Sequence, residues 1–92
     1  MARDEPAIRA AFESEGLEPS LWSNVAGYRY DWHRHPYDKV LYCVEGSVTF
    51  HTDAGDTELS EGDRLDLPAE TRHAATVGPG GVTCLEAALP PA

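Results

Sequence analysis

From Leu21 onward the chain is cut into short runs rich in β-branched and aromatic residues, with Gly, Pro or Asp breaking them about every eight to twelve residues. That rhythm is the signature of a β-sandwich or barrel, and it leaves no segment with the apolar period of a second helix. The spacing predicts strands over residues 21–24, 28–34, 39–45, 47–52, 57–59, 64–67, 73–77 and 82–88. Between them lie explicit turns: Glu45-Gly46, Asp53-Ala54-Gly55-Asp56, Glu61-Gly62-Asp63, Pro68-Ala69-Glu70 and Gly78-Pro79-Gly80-Gly81. Only the start of the chain reads as helix. Asp4 is placed to cap it, Glu5 and Pro6 fall in its first turn, Ile8, Ala11 and Phe12 share a face, and Gly16 followed by Leu17 stops it. A helix of about ten residues is marginal alone, so the Ile8/Phe12 stripe must pack on a sheet. The expected organisation is an all-β fold, an antiparallel barrel with one short N-terminal α-helix: helix and connection over residues 1–19, barrel over 20–89, and a tail over 90–92.

Charge narrows the partners. Sixteen acidic residues face seven basic ones, giving a formal net charge of −9, and the arginines are scattered around the single lysine, Lys39. No basic patch exists to neutralise a phosphate backbone, so nucleic acid is not an expected partner. No apolar run approaches the roughly 18 residues of a membrane span, and the opening Arg3-Asp4-Glu5-Pro6 is unlike a secretion signal. A soluble cytoplasmic protein is expected. Cys43 and Cys84, the only cysteines, lie in apolar runs too far apart for a metal clip and read as reduced core thiols. A chain of this length buries only about 60 to 65% of its unfolded surface, a shortage that a homodimer would relieve.

Chemistry concentrates at the histidines. His33 and His35 are separated by one residue on a predicted strand, where side chains alternate faces, so both imidazoles point the same way. His73 opens a later strand and can close a triad from across the barrel. Three neutral imidazoles suit a divalent transition metal such as Zn, Fe, Ni or Mn and leave open positions for water or substrate. His51 alternates with core-facing Val48 and Phe50, so it is expected to be exposed on the outer face, without a role. The wider spacing carries more information. Gly27, five residues, His33-Arg34-His35, three residues, Lys39, six residues, Gly46 is followed, after a fifteen-residue gap, by Gly62, five residues, Pro68 and then His73. In this pattern the chain resembles a small single-domain cupin over about residues 20–88. The resemblance implies a cupin-type jelly roll, a double-stranded β-helix, often dimeric. It also implies a metal held by two histidines and a glutamate of the first motif and one histidine of the second, with His33, His35 and His73 at the histidine positions. Glu70 and Val77 replace an internal glycine and a closing asparagine of the second motif, and Lys39 stands where the glutamate belongs.

That last departure changes the chemistry. Parity puts Lys39, Leu41 and Cys43 on the interior face, so an ammonium would face the metal; at about 4 Å and an effective dielectric near 20 the repulsion is ~4 kcal/mol per unit charge. Three outcomes follow. Lys39 can turn to a carboxylate, with Asp38, Asp66 and Glu86 as candidates, and leave three histidines to hold the metal. It can lose its proton and act catalytically as base or nucleophile beside a Lewis acid. Or it can occupy the metal's place, making a metal-free ligand-binding, structural or sensor protein. Leu41, Cys43 and Tyr37 are expected at the pocket, and Trp22, Tyr28, Tyr30, Trp32 and Tyr42 cluster around the first motif as core, interface or pocket wall. Asp63 reads as a turn former, and Arg72 as a rim residue in a surface salt bridge. The expected ligand is a small molecule, and the implied enzyme chemistry is dioxygenase-like or isomerase-like.

Overall fold

The computed structural model describes residues 5–89; the Asp4 cap and the 90–92 tail lie outside them. Helix α1 (Glu5–Ser14) is followed by six strands: β1 (Ser20–Asn24), β2 (Arg29–His33), β3 (Lys39–Thr52), β4 (Gly55–Leu59), β5 (Arg64–Leu67) and β6 (His73–Ala88). The helix ends as the sequence predicts. Gly16 takes φ +73°, its N–H donates to the Glu13 carbonyl, and the Leu17 N–H donates to Phe12, which satisfies two otherwise orphaned carbonyls.

Two pairs of predicted strands prove continuous. β3 runs through the Glu45-Gly46 turn and β6 runs through Gly78-Pro79-Gly80-Gly81. These long strands pair with each other along their whole length, antiparallel, and both bend at the same level, where Gly46 lies opposite Val82 and Val48 opposite Val77. Above and below the bend each recruits different neighbours. One half is β1, the 82–88 part of β6, the 39–46 part of β3, and β5. The other is β2, the 73–77 part of β6, the 48–52 part of β3, and β4. The result is a jelly-roll barrel made of two facing antiparallel halves that share their central strands.

Close approach of backbones explains why the bend takes glycine. A Cβ on Gly46 would stand 2.0 Å from the Gly81 carbonyl oxygen, and one on Gly78 would stand 2.0 Å from Ser47 Oγ. Gly46 and Gly81 also have φ of +81° and +79°, where a Cβ is strained regardless of space. The turn-like composition was real, but its glycines bend a ladder without ending it.

Inward parity changes across the bend, from Leu41 and Cys43 to Val48 and Phe50 on β3, and from Ala75 and Val77 to Val82 and Cys84 on β6. These side chains, with Leu59 and Leu67, form the core between the halves. The opposite face of the first half presents Val40, Val44, Leu85 and Ala87 to Ile8 and Phe12 of α1. Phe12 is fully buried, worth about 3 kcal/mol of transfer free energy, so the helix is held by packing. Asp63 Oδ2 accepts the Ser60 N–H at 2.8 Å, the local turn bond expected of it.

Gly46→Ala should lower stability by about 2 kcal/mol or more, a fall of roughly 10 °C in Tm for a domain this size. Gly27→Ala, at φ +76° with nothing within 4 Å of the added Cβ, should cost about half as much. Thermal unfolding of the two variants checks this; equal losses would show that the close approach at Gly46 is not what requires glycine.

Candidate metal centre

His73, the first residue of β6, faces the interior in phase with Ala75 and is only 3% exposed. Its register partner across the ladder is His33, the last residue of β2. Simple alternation would put Tyr30 and His33 on opposite faces, yet both line the same cavity. A register shift between them accounts for this by turning the end of β2 inward. His35 lies two residues beyond the strand, tied down where its carbonyl accepts the Glu70 N–H at 2.7 Å. The three rings meet with centroids 4.3 to 5.3 Å apart.

Hydrogen bonds fix which nitrogen each ring offers. His33 Nδ1 is 2.6 Å from the Asp31 carbonyl and His73 Nδ1 is 2.8 Å from the Thr71 carbonyl. A carbonyl only accepts, so both Nδ1 atoms carry the proton and both Nε2 atoms present lone pairs. His35 reaches the same tautomer by another route. Its Nε2 accepts from Lys39 Nζ at 3.4 Å, and its Nδ1–H donates to Tyr37 OH at 3.4 Å. Donor atoms of the three residues lie within 4.8 Å of one another. Small ring rotations bring such a set to the ~3.4 Å separation of imidazole nitrogens on a tetrahedral ion. The residues therefore fit a divalent transition metal, with backbone carbonyls orienting two of the three ligands.

The environment disfavours the charged form of His35 and His73. Burial, reinforced by the Lys39 charge and the other two imidazoles, pushes the His35 pKa below its ordinary value. Burial likewise lowers that of His73, against the hydrogen bond to Thr71. Neutral imidazoles are the form that binds metal.

Lys39 lies on the interior face, as parity requires, with its side chain 12% exposed. Of its three candidate partners the structure selects Glu86, whose Oε2 is 3.5 Å from Nζ. Asp38 is engaged instead by the Ala69 N–H and Asp66 by Arg64. Glu86 is itself held by Trp22, whose indole N–H donates to Oε1 at 2.7 Å. The cavity, about 350 Å³, is walled by Trp22, Tyr30, Leu41 and Phe50 around the histidines, Lys39 and Glu86.

Of the three pocket residues expected from sequence, Leu41 lines the cavity. Tyr37 stands behind it, stacked on His35 at 5.1 Å. Cys43 is in the core instead, fully buried and directly opposite Cys84 on the neighbouring strand. There the Cys43 thiol donates to the Glu45 and Gly46 carbonyls at 3.6 and 3.4 Å, and the neighbouring Cys43 thiol, with burial, pushes the Cys84 thiol up. Phe50 was foreseen only as core, although its inward parity pointed here. Outside the cavity, Tyr42 packs edge-on against Phe12 at 5.3 Å. Arg72 lies over exposed Trp32 and 3.6 Å from Asp53. His51 is half-buried where exposure was expected, because Asp56 and Thr76 hold it against the outer face at 2.8 and 2.9 Å.

Comparison with known proteins agrees with this arrangement. The family profile described as the cupin domain matches residues 24–85. Over 42 residues, 45% of its length, the chain is 43% identical to quercetin 2,3-dioxygenase of Bacillus subtilis strain 168 and covers 12% of that protein. It therefore spans a small part of that curated relative. A cupin superfamily protein from Desulfitobacterium hafniense DCB-2 superposes with TM-score 0.71 at 25% identity, over 79% of this chain and 66% of its own. A protein from Neisseria meningitidis does so with TM-score 0.68 at 28% identity, over 82% and 75%.

The lowered histidine pKa values fix the sign of a pH effect. The unfolded chain protonates His35 and His73 near pH 6.5 and the folded chain does so lower, so the unfolded state binds more protons in that window. Stability should fall as pH drops below about 6.5. The urea midpoint of metal-free protein should therefore decrease from neutral to mildly acidic pH, and decrease less in the His35→Asn/His73→Asn double variant. Equal pH dependence in the two proteins would contradict this.

Proposed function

The chain belongs to the cupin domain family, and from that membership we propose that it binds a divalent transition metal through Nε2 of His33, His35 and His73. The single observation that carries the reading is the cluster of three imidazoles whose ligand atoms lie within 4.8 Å of one another, hydrogen-bonded so that each neutral ring leaves Nε2 unprotonated. The metal would supply a Lewis acid with positions open to the cavity. The protein's own residues do the rest. Carbonyls of Asp31 and Thr71 aim two ligands, Tyr37 stacks on the third, and Glu86 offers the Lys39 ammonium a place when His35 Nε2 is given to the metal.

The histidines line a cavity of about 350 Å³, a size that suits a small-molecule ligand. Dioxygenase-like or isomerase-like turnover of an oxygenated compound is the activity we propose, supported for the first by the local identity to quercetin 2,3-dioxygenase. Lys39 would position or polarise that compound. A homodimer belongs to the same proposal, supported by the exposed apolar side chains of Leu21, Val25, Tyr28 and Trp32.

One observation favours a second reading. Lys39 already contacts both His35 Nε2 and Glu86, so the ammonium can serve in place of the ion, leaving a metal-free ligand-binding protein. Metal analysis of untagged protein decides between the two. The metal reading expects about one equivalent of zinc, iron, nickel or manganese, a loss of affinity of at least ~100-fold in His73→Ala, and tighter binding in Lys39→Glu. Less than about a tenth of an equivalent after supplemented growth and reconstitution, with no zinc uptake by calorimetry, favours the metal-free reading.

A further inference from the structure

The charge at position 39 bears on what the cavity accepts. Were residue 39 a glutamate, it and Glu86 would balance a divalent ion among three neutral imidazoles. With Lys39 the same centre carries two units of excess positive charge. Charge of that size in a half-enclosed cavity is stabilised by an incoming anion.

The ammonium is available to such an anion. Its contacts to His35 Nε2 and Glu86 Oε2 are 3.4 and 3.5 Å, whereas a well-made N–H···O contact from an ammonium to a carboxylate is nearer 2.8 Å. Glu86 is held back from a closer approach because its other oxygen is anchored by Trp22 at 2.7 Å. Lys39 and the three histidines line one cavity, so a ligand with two neighbouring oxygens can meet the metal with one and Lys39 with the other. The remaining wall is apolar and aromatic, formed by Trp22, Tyr30, Leu41 and Phe50. At about 350 Å³ the cavity lies at the small end of ligand pockets.

Resting on the metal reading above, we infer that Lys39 and the histidine-bound metal together form a subsite for small carboxylates bearing a 2-oxo or 2-hydroxy oxygen and an apolar or aromatic body. Lys39 supplies the charge-assisted hydrogen bond to the carboxylate. Glu86 competes for the ammonium and so tempers the affinity.

Calorimetry on the zinc-loaded protein tests this with benzoylformate and its neutral methyl ester. Zinc is titrated first into the wild type, Lys39→Met and Glu86→Gln. Lys39→Met should keep its zinc, bind benzoylformate about tenfold or more weakly, and bind the ester as the wild type does, which also shows that the pocket is intact. Glu86→Gln should bind benzoylformate more tightly. The inference is overturned if zinc is retained but Lys39→Met binds the acid as well as the wild type, if acid and ester bind the wild type alike, or if Glu86→Gln weakens the acid. Failure of the wild type to take up zinc overturns the metal reading itself, and this subsite with it, so the two failures are distinct.

Discussion

Everything in this barrel depends on two long strands bending together without parting. β3 and β6 stay paired as one antiparallel ladder through the bend, and at its midpoint their backbones approach so closely that Gly46 has no room for a Cβ. A straight ladder of this length would make one flat sheet with two faces to cover, more than the apolar residues of a short chain can bury. Bending it folds one half over the other, so that Leu41, Cys43, Val48, Phe50, Val77 and Cys84 meet in one interior. The outer face left by the first half is then narrow enough for a single amphipathic helix to cover.

The arrangement of the three histidines follows from the same bend. It places the inward face of the first half, with Lys39 and Glu86, opposite the inward end of the second, with His73 and His33. Within that space, backbone carbonyls decide proton positions. Asp31 and Thr71 each hold an Nδ1–H, and the lysine ammonium, which can only donate, imposes the same tautomer on His35. Two elements that look opposed, a cation and a set of nitrogens that could hold a metal, thus share one polarity of hydrogen bonding. A divalent ion in place of the ammonium would meet the same lone pairs.

Much of this was legible in the residues. Turn chemistry located the strands, Gly16 and Leu17 located the helix end, and alternation put Lys39 and Leu41 inside. The histidine and glycine spacing led to the cupin family and to the three imidazoles that the fold brings together. Alternation failed where the backbone departs from a two-residue repeat. It missed the register shift that turns His33 to the side of Tyr30, and turn composition was mistaken for strand ends at Gly46 and at Gly78 to Gly81. The apolar run around Cys43 read correctly as core, whereas parity also offered it to the pocket because parity assigns a face but not a depth. It lies on the interior face, yet its opposition to Cys84 keeps it in the packed core.

The sequence by itself determined the class of fold, the helix that covers it, the three histidines, and the inversion of charge at position 39, because each is written in local spacing or in a side chain's identity. Only the tertiary structure decided what that charge touches. Asp38, Asp66 and Glu86 were equivalent as sequence candidates. Asp38 is spent on a backbone amide and Asp66 on Arg64, while Glu86, far along the chain, faces Lys39 across the β3–β6 ladder. A partner of that kind is set by strand register and by the direction in which side chains leave the sheet, and neither is local to the residue it serves.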